Sequence, residues 1–362
     1  MASISDQPTT TQHQSELIGI VGLQNMGNTC YLNSTIQILR AVPELSAYCK
    51  NTNIIELCDE KKDTNYAKIL LGYQELVNMM WSTNKPAFVR PLAFITLVQH
   101  AVKDTVYSMF GLPIPNDSHE FLVYLLDNFH EALSKKIHIP DIRESQSEPQ
   151  SMTTLAQHGW SSFLRAGHSP IVDLFFGMMR KTIECQNCHN KTYQWEVFNI
   201  LKIPCQGATF IEWIENECSV TSELTDYDCV NCRPSRVNAK IYSHIWCLPQ
   251  ILFIAIRRFK PTGQKDMSPC PYSGETLNLN AYFAEESTEQ SKTWKYELYS
   301  IVDHHGTHTC GHYITQFRHP QTSEWWMFDD ERGVKLEHPC FGGSNYLFLF
   351  RRQCELLPII IA

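Results

Sequence analysis

Cys30 ends a tight polar turn, Gly22-Leu23-Gln24-Asn25-Met26-Gly27-Asn28-Thr29, and leads directly into Tyr31-Leu32-Asn33-Ser34 and an apolar segment carried by Ile36, Ile38 and Leu39. A cysteine at such a junction lies at a helix N-terminus, where unpaired backbone N–H groups and the helix dipole stabilise a thiolate, the nucleophilic form. The same N–H groups can donate to a developing oxyanion, and the side-chain amide of Asn25 in the same turn adds a donor. The competing reading is a buried structural cysteine, since free cysteine is ordinary packing material.

A thiol needs a base. The segment Tyr299-Ser300-Ile301-Val302-Asp303-His304-His305-Gly306 is followed by Gly311-His312-Tyr313. His312, between Gly and Tyr at a strand entry, suits a base that takes the thiol proton and later gives it to a leaving amine. Four histidines crowd here (His304, His305, His308 and His312), with Asp303 and Cys310 beside them, so a metal site is a rival reading. Trp325-Trp326-Met327-Phe328-Asp329-Asp330 closes an aromatic strand on an acidic pair that can accept from the far nitrogen of the histidine and fix its tautomer. Acidic pairs commonly lie on solvated turns; what gives this one meaning is the order Cys, His, Asp with long separations, as a triad assembled from distant segments requires.

Two further pairs have ligand spacing. Cys185-Gln186-Asn187-Cys188 and Cys229-Val230-Asn231-Cys232 are two CxxC knuckles separated by 40 residues. Four thiolates match a tetrahedral structural zinc site. The long interval predicts knuckles that cap two hairpins, with the metal tying them into one rigid projection and its binding energy appearing as folding energy. Unmetallated reduced thiols are the alternative. The other nine of the 14 cysteines outside Cys30 and the knuckles show no paired spacing and are read as packing or surface residues.

The elements that must position these groups are of two kinds. Thr29–Arg40, stopped before Pro43, and Asp117–Leu133, with apolar residues at Phe121, Leu122, Leu125, Phe129 and Leu133, have helical period; Asp117 and Glu120 have the spacing of a capping box. Asp141–Met152 is a polar stretch that reads as an exposed loop. From about Phe175 the signal changes to strands: Leu248–Phe259, Tyr296–Asp303, Tyr313–Arg318 and Tyr346–Phe350, with Lys260–Ser273 a loop. Helices first and strands later predict α+β packing with a site between the halves. The chain has 362 residues, 43% hydrophobic and 11% aromatic, which fits a folded globular protein. A net charge of −8 without a Lys/Arg stripe argues against nucleic acid as the main partner. Residues 1–17 read as a disordered leader without a signal-peptide pattern, and no apolar run reaches membrane-spanning length. The expected setting is cytoplasmic or nuclear, and the cysteines are read as metal ligands, catalytic groups or free thiols rather than disulfides.

Together the motifs resemble the ubiquitin-specific protease family. Gly22–Ser34 resembles its cysteine box, and Pro115-Asn116-Asp117-Ser118-His119-Glu120-Phe121-Leu122 its Gln-Gln-Asp-Ala-x-Glu-Phe helix start. The two CxxC knuckles fall where its fingers carry zinc, Leu248–Phe259 resembles its Leu-Pro-x-x-Leu-x-Ile-x-Leu-x-Arg-Phe strand, and Gly311-His312-Tyr313 and Trp325–Asp330 resemble its histidine box and acidic motif. The resemblance runs over roughly residues 19–352. It implies a papain-like cysteine protease fold over 18–353: a helical thumb (about 18–170), zinc-bearing fingers (about 171–245) and an antiparallel palm (about 246–353), followed by an apolar tail at 354–362. The implied reaction is hydrolysis of the (iso)peptide, thioester or ester bond after the C-terminal glycine of ubiquitin. Cys30 would be the nucleophile, His312 the base, Asp329 its orienter and Asn25 the oxyanion donor. Asp330 matches a position that assists or replaces the preceding acid. Asp117 and Tyr313 match residues that meet the ubiquitin tail. Cys185, Cys188, Cys229 and Cys232 would hold a structural Zn2+, with no cofactor for the chemistry. The implied partners are ubiquitin and ubiquitinated proteins, for a monomeric catalytic domain open to a regulatory partner. The sequence departs from the family at Pro115-Asn116, which replace two glutamines, and at His305, where a small residue is common. A catalytically silent ubiquitin-binding scaffold and a protease for another ubiquitin-like modifier are the alternatives; every catalytic group is present, which disfavours the first.

Overall fold

The computed structural model describes residues 18–51, 56, 61, 63–84, 86–139, 151–218, 222–307 and 310–353. The expected leader and tail, His308, and the Asp141–Met152 loop except its last two residues lie outside the described residues.

In the first half, β1 (Gly22–Leu23) runs through the cysteine turn into α1 (Cys30–Arg40), followed by α2 (Pro43–Asn51), α3 (Asn65–Met80), β2 (Phe88–Val89), α4 (Leu92–Val102), α5 (Ser118–Leu133), α6 (Met152–Leu164) and α7 (Pro170–Phe175). β1 and β2 pair in parallel. α1 is buried on all sides, including its polar residues, so it forms the axis of this half rather than an amphipathic cover. α5 begins where the Asp117 side chain accepts from the His119 and Glu120 N–H groups, the expected N-cap, and buries Phe121, Leu122, Leu125 and Phe129. Among the described residues no helix is long and apolar enough to cross a membrane.

The second half opens with β3 (Gly177–Cys185), β4 (Lys191–Phe198) and β5 (Ile200–Pro204), then α8 (Phe210–Cys218), a helix the sequence reading did not anticipate. β6 (Ser222–Tyr227), β7 (Val237–Cys247), β8 (Ile251–Arg257), β9 (Leu277–Asn278), β10 (Lys295–Gly306), β11 (Gly311–Arg318), β12 (Trp325–Asp329), β13 (Arg332–Leu336) and β14 (Asn345–Arg352) follow. β4-β3-β7-β6 make one antiparallel sheet; β13-β12-β11-β10-β14-β8-β5 make the larger one, with β9 on β10 and only β5–β8 parallel. The expected strand at 248–259 thus forms over Ile251–Arg257, and those at 296–303, 313–318 and 346–350 form with slightly wider limits.

The continuous apolar runs of β8 and β14 follow from a sheet covered on both faces. Side chains alternate across a strand. Ile251, Phe253, Ala255, Leu347 and Leu349 enter the core shared with the helical half. Leu252, Ile254, Ile256, Phe348 and Phe350 enter a second core closed by Phe210, Trp213 and Ile214 of α8. Burying each such side chain contributes about 1.5–3 kcal/mol relative to exposure. The larger sheet is therefore a rigid wall between two cores, and β10–β12 project from it toward the N-terminus of α1.

Candidate active site

The turn before α1 is held by one side chain. Asn25 Oδ1 accepts from Gly27 N (2.9 Å), Thr29 N (3.2 Å) and Thr29 Oγ1 (3.3 Å), and Gly27 and Asn28 take left-handed backbone with φ of 103° and 56°. Thr29, at the N-cap position, accepts from Met26 N (2.9 Å) instead of capping the helix, and the first turn carries no acid. The N-terminus of α1 is thus left without a side-chain cap, and its orphan N–H groups face the place where Cys30 sits. α5, by contrast, is capped by Asp117.

His312 is the second residue of β11, and the antiparallel pairing of β11 with β12, which sets Thr315 opposite Phe328, brings Asp329 diagonally within reach of it. His312 Nε2 lies 2.7 Å from Asp329 Oδ1, which leaves Nδ1 to meet Cys30. The hydrogen bond with Cys30 is the largest cause that raises the His312 pKa, from 6.5 to about 9; burial opposes it and the Asp329 bond adds to it. A Cβ on Gly311 would meet the backbone carbonyl oxygen of His305 at 2.7 Å as well as the His304 ring, so glycine lets β10 and β11 close beside His312.

Asp330 faces elsewhere. Its Oδ2 is 3.9 Å from His312 Nε2 and accepts from Asn25 Nδ2 at 2.9 Å, while Oδ1 accepts from Asn33 Nδ2 at 2.7 Å. Its backbone carbonyl accepts from Leu23 N (2.9 Å). A Cβ on Gly22 would meet Glu331 O at 2.3 Å, so the β12–β13 turn lies directly on β1. Cys30, His312, Asp329, Asn25 and Asp330 all come together, with Asp330 against the cysteine turn rather than against the histidine. Asn33, which the sequence reading gave no role, joins them.

Asp117 and Tyr313 come together one shell away. Asp117 Oδ1 accepts from His119 N (2.8 Å) and Glu120 N (3.0 Å), and Oδ2 from the Tyr346 hydroxyl (2.6 Å). Tyr313 is buried, its ring 4.6 Å from that of His304 and 6.1 Å from that of Tyr346, and burial followed by the Asp117 charge pushes its phenol pKa up. The rival metal set does not assemble. His304 Nδ1 faces Lys265 Nζ (3.2 Å), and Asp303 accepts from Asn345 (2.6 Å) and Gln316 (2.7 Å). Among the described candidate ligands there, which do not include His308, only His312 gathers with others, and those are Asp329 and Asp330.

Cys185, Cys188, Cys229 and Cys232 do gather, with their sulfurs all within 4.8 Å of one another; Cys185–Cys232 is 3.8 Å and Cys188–Cys229 is 3.5 Å. Four sulfurs at about 2.3 Å from a central zinc would stand about 3.8 Å apart, so the cluster fits that ion. The knuckle backbone adds to the fit: Asn187 N and Cys188 N point at Cys185 Sγ (3.4 and 3.5 Å), and the Cys188 contact is the first cause that lowers the Cys185 pKa, to about 6. Cys185 ends β3, and the second knuckle lies between β6 and β7, so the cluster ties the far ends of the smaller sheet together.

A cysteine at an open helix N-terminus in the helical half is thus faced by a histidine and an acid on antiparallel strands. The family model described as ubiquitin carboxyl-terminal hydrolase matches residues 21–349, and the chain belongs to that family. The Drosophila melanogaster protein described as ubiquitin carboxyl-terminal hydrolase Usp2 is 27% identical over 351 residues, covering 92% of this chain and 35% of its own length. Human ubiquitin carboxyl-terminal hydrolase 2 is 27% identical over 349 residues, covering 92% and 55%. The chain thus spans about a third to just over half the length of these relatives. The structure of the SAGA Ubp8/Sgf11/Sus1/Sgf73 DUB module bound to ubiquitin aldehyde matches with a TM-score of 0.68 at 20% identity, over 96% of this chain and 72% of that one. The fold is the α+β, papain-like fold of that neighbour.

Proposed function

We propose that this chain is a thiol-dependent deubiquitinase that hydrolyses the (iso)peptide, thioester or ester bond after the C-terminal glycine of ubiquitin. The observation that carries the proposal is the contact of Cys30 with a His312 ring whose far nitrogen is held at 2.7 Å by Asp329. The Cys30 thiolate attacks the glycine carbonyl carbon. The oxyanion is met by the open N-terminus of α1 and by the second Nδ2 hydrogen of Asn25, the first being held by Asp330. Collapse breaks the C–N bond, and the His312 imidazolium protonates the leaving amine. Neutral His312 then takes a proton from water, whose oxygen attacks the thioester carbon. The C–S bond breaks, and thiolate and imidazolium are restored.

The helical half, 18–170, would act as thumb, 171–245 as fingers and 246–353 as palm. Asp117 and Tyr313 would line the path of the ubiquitin tail, whose basic residues suit a carboxylate. The four clustered cysteines would hold Zn2+, which when bound supplies a structural cross-link to the fingers. Twelve described cysteines are free, which suits a reducing cytoplasmic or nuclear setting. A regulatory partner is proposed by likeness to Ubp8, which is named together with Sgf11, Sus1 and Sgf73.

The test uses ubiquitin and several ubiquitin-like modifiers, each bearing a C-terminal electrophile. Labelling by ubiquitin of the wild type and not of Cys30→Ala is expected. Absence of any adduct with folded wild type overturns the active-enzyme reading, and labelling by another modifier alone reassigns the substrate.

A further inference from the structure

Asn33 lies one turn into α1 from Cys30 and is only 2% exposed. Its Nδ2 donates to Asp330 Oδ1 (2.7 Å) and lies 3.2 Å from Leu23 O and 3.4 Å from Gln24 O. All three neighbours are acceptors, so the nitrogen must face them. The consequence is that Asn33 Oδ1 points away into the interior, where it has no hydrogen-bond partner. A buried orphan carbonyl is destabilising, and most folds avoid it. A leucine would fill the space without that penalty but would leave Asp330 Oδ1 unpaired.

Asp330 has its two oxygens divided between two amides, Asn33 at Oδ1 and Asn25 at Oδ2. Asn25 in turn has its own oxygen fixed by Gly27 N and Thr29 N. An amide nitrogen carries two hydrogens in one plane, so fixing the oxygen and one hydrogen fixes the direction of the other. The chain Asn33 to Asp330 to Asn25 therefore determines where the free Asn25 N–H points.

We infer that Asn33 is a positioning residue for the oxyanion-binding amide: by holding the rotation of the Asp330 carboxylate it aims the Asn25 N–H at the tetrahedral intermediate. The inference rests on the deubiquitinase reading above. It differs from a purely structural role, in which Asn33 would only staple α1 to β1 through Leu23 and Gln24.

The test compares Asn33→Ala, Asn33→Leu, Asn25→Ala and the Asn25→Ala/Asn33→Ala double variant in the full chain. The substrate is ubiquitin with a C-terminal fluorogenic amide, and the rate at which iodoacetamide alkylates Cys30, which involves no oxyanion, is measured beside it. Loss of one oxyanion donor lowers kcat by about 10²–10³-fold, so loosening it is expected to lower kcat by about 10–100-fold, with KM and the alkylation rate nearly unchanged. In the double variant the Asn33 change is expected to add less than about threefold, because both act through one N–H. Multiplicative losses in the double variant, or alkylation that falls in step with kcat, overturn the inference. Where Asn33→Ala fails to fold, Asn33→Leu, of similar size but without any donor to Asp330, is expected to show the same selective loss of kcat, and full activity in that variant also overturns it. Wild type that is alkylated at Cys30 but inert toward the ubiquitin amide overturns the deubiquitinase reading and this inference with it; active wild type with additive variants overturns the inference alone.

Discussion

Replacing the two adjacent acids one at a time separates orientation of the base from orientation of the oxyanion donor. His312 Nε2 is 2.7 Å from Asp329 and 3.9 Å from Asp330. At an effective dielectric of about 20, a unit charge pair is worth about 6 kcal/mol at the shorter distance and about 4 kcal/mol at the longer. Asp329→Ala removes the whole of the shorter term, about 6 kcal/mol before screening, and leaves the imidazolium with Asp330 alone. His312 and Asp329 are both about half exposed (41% and 49%), and pairs so open to water are worth about 1 kcal/mol; with the lost hydrogen bond about 1–2 kcal/mol is at stake, or roughly 5- to 30-fold in kcat. Asp330→Ala acts differently. Its carboxylate is 10% exposed and anchors both Asn25 and Asn33, so its loss frees the proposed oxyanion donor from its direct anchor, and kcat is expected to fall by about 10²-fold, up to the roughly 10²–10³-fold of losing that donor altogether. The acid farther from the histidine is therefore expected to matter more. Steady-state kcat and KM on a ubiquitin amide, with melting curves to confirm folding, decide it. A loss near 10⁴ for Asp329→Ala, the size seen when a triad carboxylate is neutralised elsewhere, beside near-normal Asp330→Ala, would refute the reasoning.

The raised His312 pKa sets an alkaline limit. The charged ring is favoured in the fold, so its contribution is complete below about 6.5 and disappears as pH rises through about 9. The alkaline limb of kcat/KM should fall near 9 and move to lower pH in Asp329→Ala; an unmoved limb counts against the assignment. In Cys30→Ala the largest cause of the shift is gone, and NMR titration of the His312 ring should move back toward 6.5. Asp117→Asn keeps an oxygen for the α5 cap but loses the charge, so KM for ubiquitin substrates should rise about tenfold with little change in melting, whereas Asp117→Ala should also lose about 1 kcal/mol of stability with the cap. An unchanged KM in Asp117→Asn removes that residue from the tail path. Cys188→Ser should lower the melting temperature and the zinc found by elemental analysis while leaving kcat of the folded fraction within about twofold; wild type that melts normally and contains no zinc refutes the metal assignment.

The residues that gather in the candidate site and in the cysteine cluster were legible in the sequence because their signals are local. A cysteine ending a Gly/Asn turn, a CxxC knuckle and an Asp at a helix start each declare an environment within a few residues. The strands β8 and β14 were legible as apolar runs, although only the structure shows that alternate residues of each serve two different cores. α8 was missed although Phe210, Trp213 and Ile214 have helical spacing, since nine residues among strands give a weak period. α3 has the same period in Ile69, Leu70, Tyr73, Leu76 and Val77 and was within reach of it; α4, Leu-Ala-Phe-Ile-Thr-Leu-Val, reads equally well as a buried strand. The pairing of Asn33 with Asp330 spans 297 residues, and no local pattern encodes it.

That long-range pairing explains how two consecutive acids serve two different partners. In a regular strand Asp329 and Asp330 would face opposite sides of one sheet. Here β12 ends at Asp329, and Asp330 takes the left-handed conformation, φ 48°, which reverses the chain into β13. The reversal leaves Asp329 beside His312 and lays Asp330 on β1, where its carbonyl accepts from Leu23 and its carboxylate from the two asparagines. The turn before Cys30 and the strand pair that carries His312 and Asp329 are thus fixed to each other through the backbone and side chain of one residue. Farther along the same boundary, Thr315 Oγ1 donates to Ser34 O (3.3 Å), and the Arg40 guanidinium stacks within 4.7–5.4 Å of Phe317, Phe328 and Trp81. These ties run the length of α1 from the Cys30 end to its last residue, Arg40. The placement of Cys30 against His312 is therefore set by the docking of a whole helix on a sheet, and on the proposed mechanism the turn at Asp330 is the point where that docking bears on the chemistry.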